Sequence, residues 1–311
     1  MRVTSNSFNN AVVDQLNRLS SKQYALQRQA ATGQRIENPS DNPDATRQVL
    51  DLKTRLQTQG QYQNNISALS SQASAVYSAI QGVQHVSNRA GEIAILADGT
   101  KSPDELKTYA TEVNHLIEQA VQQGNTKFGD TYLFGGTKSD KPPYVLGHDA
   151  EGRPTNPTYQ GNTNSAPTEI SEGVSISIAP PAANSSGSGP RGLLADDRSG
   201  ADLLKHLVSL RDHLLAGDTA AISSTDRPAL SRDEDNILYH VADHGALTAR
   251  LEAASTAVTA QNQSVRKSIS QQTDADLADT LVQLGSVQTA YQAALQSAAK
   301  LMGTSLMDYI R

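Results

Sequence analysis

The chain has 311 residues, a net charge of −6 with both signs interspersed, no cysteine or tryptophan, three phenylalanines and a hydrophobic fraction of 37%. That balance excludes nucleic acid as a partner, because phosphate binding needs a concentrated basic face, and the missing thiols exclude disulfides, cysteine nucleophiles and thiolate metal sites. No apolar run of about 18 residues is available to insert into a membrane, and the opening MRVTSNSFNNAVV lacks the apolar core of a cleaved signal peptide.

Residues 5–32 carry Phe8, Val12, Leu16, Leu19, Leu26 and Ala30 at helical spacing and stop at Thr32–Gly33. The stripe is thin and its polar face is rich in Gln, Asn and Ser. Such a helix is marginal in water by itself, which predicts that it orders against partner helices. Gln34–Asp44 is punctuation: Asn42 reads as an N-cap, Pro43 as the first helical residue and Asp44 as an acid favoured by the helix dipole. A calcium loop at Asp41, Asn42 and Asp44 would lack the central glycine and distal glutamate of an EF-hand.

A long helix follows. Tyr62, Ile66, Leu69, Ala73, Val76, Ile80, Val83, Ser87, Ala90, Ala94 and Ala97 alternate at steps of four and three, with Ser87 the one polar member. This narrow stripe asks for partner helices of similar length rather than a compact core. Ser102–Pro103–Asp104–Glu105 caps another helix that buries Leu106, Val113, Leu116, Ala120 and Val121 and ends at Gly124, so the short connection makes the two helices antiparallel.

The composition then changes. Tyr132–Phe134 reads as a short apolar strand turned by Gly135–Gly136, a second strand is expected around Tyr159, and Val174, Ile176 and Ile178 alternate as a third. Prolines and glycines are frequent up to Gly192, with a loose loop expected through Asn184–Pro190. Helical character returns with Leu203, Leu207, Leu210 and Leu214, stopped at Gly217. After Arg227–Pro228 helices run to the C-terminus with one pause near Gln272–Asp274. Their seams are Ile237, Val241, Leu251, Val258, Val265 and Ile269, then Leu277, Leu281, Leu284, Gln288, Tyr291, Leu295, Ala298, Met302 and Ser305.

Little of this resembles catalytic machinery. His240 and His244 stand one helical turn apart beside Asp243 and invite a metal reading, but no HExxH pattern or third ligand accompanies them, and the surrounding face reads as solvated. His206 and His213 flank the leucine stripe as helix-edge residues. Gly135–Gly136 has no phosphate-loop pattern around it, and the sequons at Asn65, Asn184 and Asn262 are assigned no role. The chain is expected not to be an enzyme and to hold no cofactor or metal.

Several segments resemble the flagellin superfamily, and within it the proteins that join hook to filament. They are Thr32–Arg35 (TGQR), Asn38–Ala45 (NPSDNPDA), Gln61–Asn65 (QYQNN), Gly129–Thr137 (GDTYLFGGT), Tyr159–Gly161 (YQG), Leu215–Ala220 (LAGDTA) and the tail Ala290–Arg311. Asn42 stands where that family usually has a second aspartate, and VTSNSF departs from the opening of flagellin proper. The resemblance implies a mainly α fold: an elongated rod of long antiparallel heptad helices formed by both termini, with a small β-rich inserted domain. Residues 1–42 and 272–311 would form an inner assembly layer, 43–137 and 197–271 a helical rod domain, and 138–196 the outer insertion. It implies export through the flagellar type III apparatus with a chaperone, a place in the bacterial flagellum, and neighbours that are copies of the chain, the hook-side junction protein and flagellin. Phe8, Val12, Leu16, Leu19, Leu295, Leu301, Leu306 and Tyr309 are then the expected assembly contacts. Flagellin itself is the alternative within the class, and a His240/His244 metal-binding protein the alternative outside it.

Overall fold

A computed structural model describes the backbone of residues 5–309 and the side chains of residues 10–300, and it is mainly α-helical. The chain divides into two compact units, residues 1–58 with 261–311, and residues 59–260.

In the first unit, α1 (Ser5–Thr32) lies antiparallel to α7 (Leu277–Tyr309). Gly33 ends α1 at φ +70°, a left-handed position that glycine adopts without strain. The segments beyond the two helices then zip together. The Arg35 N–H donates to the Thr273 carbonyl at 2.6 Å, the Ala275 N–H donates to Gly33 at 2.8 Å, and the Arg35 guanidinium reaches the Gln272 carbonyl at 2.9 Å. The start of α2 (Pro43–Leu96) belongs here too, and Asn42 caps it by accepting from the Ala45 N–H at 3.1 Å. Asp41 spends its carboxylate on the N–H groups of Glu37 and Asn38, which lowers its pKa, so the supposed calcium ligands are the turn's own fasteners.

The second unit has its core along the remainder of α2. From Ile66 to Ala97 every position of the four-and-three seam, Ser87 included, is at most 5% exposed. α3 (Pro103–Gly124) returns antiparallel, tied to α2 by a two-pronged contact of Arg89 with Glu112 at 2.6 and 3.1 Å. Ser102 and Glu105 form a reciprocal capping box at its start. Ser102→Ala is expected to lower stability by about 1 kcal/mol, read as a shift in the urea midpoint without a change in slope. On the outer side of α2, Ser67, Ser70, Ser71, Ser74 and Ser78 each donate to the carbonyl four residues earlier.

The insertion is made of very short strands. A hairpin pairs β1 (Lys127–Phe128) with β2 (Thr131–Tyr132); β3 (Tyr144–Val145) pairs with β4 (Thr158–Tyr159), and β5 (Thr168–Ser171) with β6 (Val174–Ile176), all antiparallel. β7 (Ala183–Asn184) runs parallel to β8 (Ala195–Asp196), which pairs antiparallel with β9 (Ala201–Asp202). The expected strand at Tyr132–Phe134 is corrected: only Tyr132 lies in a strand, while Leu133 and Phe134 leave it and plug the core at 4% and 0% exposure. Burial of two successive apolar side chains is incompatible with one strand's alternation.

The loop expected to be loose is instead knotted. The Asn184 amide donates to the carbonyls of Ser188 and Pro190, both at 2.7 Å. The buried Asp196 carboxylate accepts from the Gly192 N–H at 3.0 Å and from Arg198 at 2.7 and 3.0 Å. Burial acts to raise the pKa of Asp196, and the Arg198 guanidinium with the two backbone N–H groups outweighs it, holding the carboxyl below the usual range.

The leucine stripe forms α4 (Leu203–Ala216), stopped by Gly217 at φ +71°. A single turn, α5 (Thr219–Ala221), and a π-helical turn (Ile222–Asp226) lead into α6 (Arg227–Thr273). The wide turn sits just before Pro228, which has no N–H to continue the regular ladder. Arg227 then caps the end of α2, donating to the carbonyls of Ala94 and Ile95 at 2.9 and 3.1 Å.

Candidate assembly surface

The terminal helix pair buries only one narrow stripe on each partner. On α1 the covered seam positions are Val12, Leu16, Leu19, Gln23, Leu26 and Ala30, and on α7 they are Thr280, Leu284, Val287, Tyr291, Ala294 and Ala298. The spacing of three and four is that of a two-helix seam. The C-terminal heptads foreseen in the sequence therefore split. Leu284, Tyr291 and Ala298 meet α1, whereas Leu277, Leu281 and Leu295 are 49%, 57% and 44% exposed. Those three, with the exposed Gln288 between them, line a second stripe on α7 that none of the described residues covers. Val282, at 72% exposure, widens it.

The other helix has a similar surplus. Val13 and Tyr24 are 46% and 67% exposed and lie eleven residues apart, about three turns, so they share a face. Exposed leucines are ordinary singly, but repeated along one helix face they mark a contact surface.

Of the expected contacts, Val12, Leu16 and Leu19 are half-buried in or beside the α1–α7 seam, and Leu295 is free. The side chains of Phe8, Leu301, Leu306 and Tyr309 lie outside the described residues. Val13, Tyr24 and Val282 were missed by sequence reasoning because they fall off the strict four-and-three repeat.

His206 and His213 are half-buried beside the leucine stripe of α4. His206 Nδ1 is 2.8 Å from Asp233 and His213 Nδ1 is 2.7 Å from Asp226, and both carboxylates are buried. Both histidines therefore bridge α4 to the following helical segments. Burial raises the Asp233 pKa, with the His206 contact opposing it.

His240 and His244 are corrected from a solvated face to a buried one, at 3% and 4% exposure. They sit inward because α6 packs that face against α2 and against the insertion. His240 Nε2 is 3.0 Å from the Gly192 carbonyl, which Asn236 also donates to at 2.9 Å. His244 stacks on Tyr77 with ring centres 5.6 Å apart, and neither of its nitrogens has a hydrogen-bond partner. Among the described residues no group of three or more His, Asp or Glu side chains gathers in a metal-holding arrangement. Two of the sequon asparagines are engaged in the fold, Asn65 on the Glu169 carbonyl and Asn184 in its loop. Among the described residues no helix is long and apolar enough to cross a membrane.

Residues 3–139 match the bacterial flagellin N-terminal helical region. Flagellar hook-associated protein 3 of Escherichia coli is 32% identical over 124 residues, and that of Salmonella typhimurium 30% identical over 127 residues. The alignments span 37% and 38% of this chain and the same shares of those relatives. A solved flagellar hook-associated protein from Vibrio parahaemolyticus superposes with a TM-score of 0.64 at 19% identity, covering 75% of this chain and 100% of the other. Hook-associated protein 3 from Legionella pneumophila gives 0.58 at 15% identity, covering 71% of this chain and 97% of the other. No catalytic family appears among these matches. Residues 3–139 thus resemble the flagellin N-terminal helical region, and the described fold is that of the hook-associated protein 3 structures.

Proposed function

We propose that this chain is a structural subunit of the bacterial flagellum that joins hook to filament, built in through its terminal helices and not acting as an enzyme. The observation that carries the reading is the second apolar stripe on α7, Leu277, Leu281 and Leu295, left open beside a thin α1–α7 seam. Copies of α1 and α7 from neighbouring subunits would cover it. Each fully buried leucine contributes about 1.5–3 kcal/mol relative to exposure, and repetition around a tube multiplies that gain.

In this reading residues 1–42 and 272–311 form the inner layer, 43–137 and 197–271 the helical layer, and 138–196 the outer insertion. Phe8, Val12, Leu16, Leu19, Leu295, Leu301, Leu306 and Tyr309 serve as subunit contacts alongside Leu277 and Leu281. The neighbours are further copies, the hook-side junction protein and flagellin. The chain reaches them unfolded through the flagellar export apparatus, escorted by a chaperone.

The experiment is to delete residues 1–30 and 285–311 separately and return each chain to cells lacking the natural one. Secretion without filament attachment is the expected result for both. Normal attachment by either deletion contradicts the proposal. Labelling the intact organelle separates this role from that of flagellin, since a junction subunit gives one band at the end of the hook.

A further inference from the structure

A buried histidine normally earns its place through a hydrogen bond, and His244 makes none. It is 4% exposed, neither ring nitrogen makes a well-formed hydrogen bond, and the Ala73 backbone is the polar group that approaches it. Its one well-formed contact is the stack on Tyr77 of α2, with an interplanar angle of 13°. A phenylalanine would fill the same space without the cost of two unsatisfied polar atoms. What the imidazole adds is a proton-binding site. One turn earlier His240, 3% exposed, uses Nε2 on the Gly192 carbonyl of the insertion. One stripe of α6 thus touches α2 through one histidine and the insertion through the other.

We infer that His240 and His244 form an acid-operated joint within the second unit: the cost of charging the two buried rings loosens α6 from α2 and from the insertion, even though the His240 bond to the Gly192 carbonyl survives protonation. Charging both rings places two cations one turn apart on a buried face, where each also loses much of its hydration.

The surrounding charges do not neutralise them. Asp243, on α6 itself, is exposed and acts on both rings from outside the seam. From the insertion, Asp196 is already paired with Arg198, and Arg191 is a cation lying over the Tyr239 ring at 4.1 Å. From α2 the Tyr77 ring and the Ala73 backbone approach His244. Farther along the stripe Asp226 and Asp233 are held by His213 and His206.

Burial holds both pKa values below the ordinary 6.5, against the smaller pull of Gly192 and Asp243 on His240 and of Ala73 and Asp243 on His244. The unfolded chain therefore binds more protons than the folded one. The stability these neutral rings permit is fully present above about pH 6.5 and is lost as the pH falls below it.

The test compares thermal unfolding of the full chain and of His244→Phe at pH 7.5 and 5.5. Wild type should lose about tenfold in its folded-to-unfolded ratio for each unit by which a histidine's titration is displaced. The phenylalanine variant should be at least as stable at pH 7.5 and lose distinctly less on acidification. An equal acid loss in both chains overturns the inference. If the variant fails to fold, ring-nitrogen NMR of the wild-type chain decides: neutral His240 and His244 at pH 6 uphold it, and rings already half-charged at pH 6.5 refute it.

Discussion

Leu281→Asp is expected to leave the isolated chain folded and to stop it entering the flagellum. The side chain is 57% exposed, so its replacement should move stability by no more than about 0.5 kcal/mol. In an assembled tube the same position would lie between helices. There the variant forfeits about 1.5–3 kcal/mol of apolar burial at every subunit and adds a carboxylate without a partner. A tenfold loss follows from each 1.4 kcal/mol, so incorporation should fall by well over an order of magnitude. Circular dichroism and urea unfolding of the purified chain check the first half. Filament counts on complemented cells check the second. Normal filaments would show that the open stripe of α7 is not a subunit contact. Gln288→Glu, on the same stripe, should give a weaker defect.

The largest stability effect is expected at Asp196. Asp196→Ala removes the carboxylate that gathers the Gly192 N–H and both prongs of Arg198, leaving a buried N–H without a partner and a guanidinium held only by the Gly189 carbonyl. Breaking a buried pair from one side costs about 3–5 kcal/mol. Arg198 keeps 31% of its side chain in water, which puts the expectation at the lower end, about 3 kcal/mol. Asp196→Asn retains acceptors and should cost less. Urea titration followed by tyrosine near-ultraviolet dichroism measures both, and an unchanged midpoint for the alanine variant would mean the knot is replaceable by water. Protease sensitivity in residues 184–192 should rise in parallel.

The helices were legible because their signals are local. The stop at Gly33, the start at Pro43, the box at Ser102 and the stop at Gly217 all stand where caps and breakers put them, and the Ile66–Ala97 seam is buried throughout. The insertion was less legible because its order comes from side-chain-to-backbone ties that leave no periodic pattern in the sequence. Nothing in a run of Ser, Gly and Pro announces that Asn184 and Asp196 will tie it down. The π-helical turn went unread, although Pro228 hinted at it. The assembly surface was half visible. Periodicity marks a residue as wanting cover, and cannot say which neighbour supplies it, so Leu284 and Leu281 looked alike until α1 was seen to cover one of them. The inward turn of His240 and His244 was hidden for the same reason, since α6 presents polar residues on more than one side.

The row of serines on α2 has a mechanical consequence. Each hydroxyl from Ser67 to Ser78 already gives its proton to its own helix, an arrangement that favours slight bending. These five hydroxyls have thus spent their protons inside the helix and turn only acceptor lone pairs outward, so this side of α2 can flex without breaking a hydrogen bond to anything beyond it.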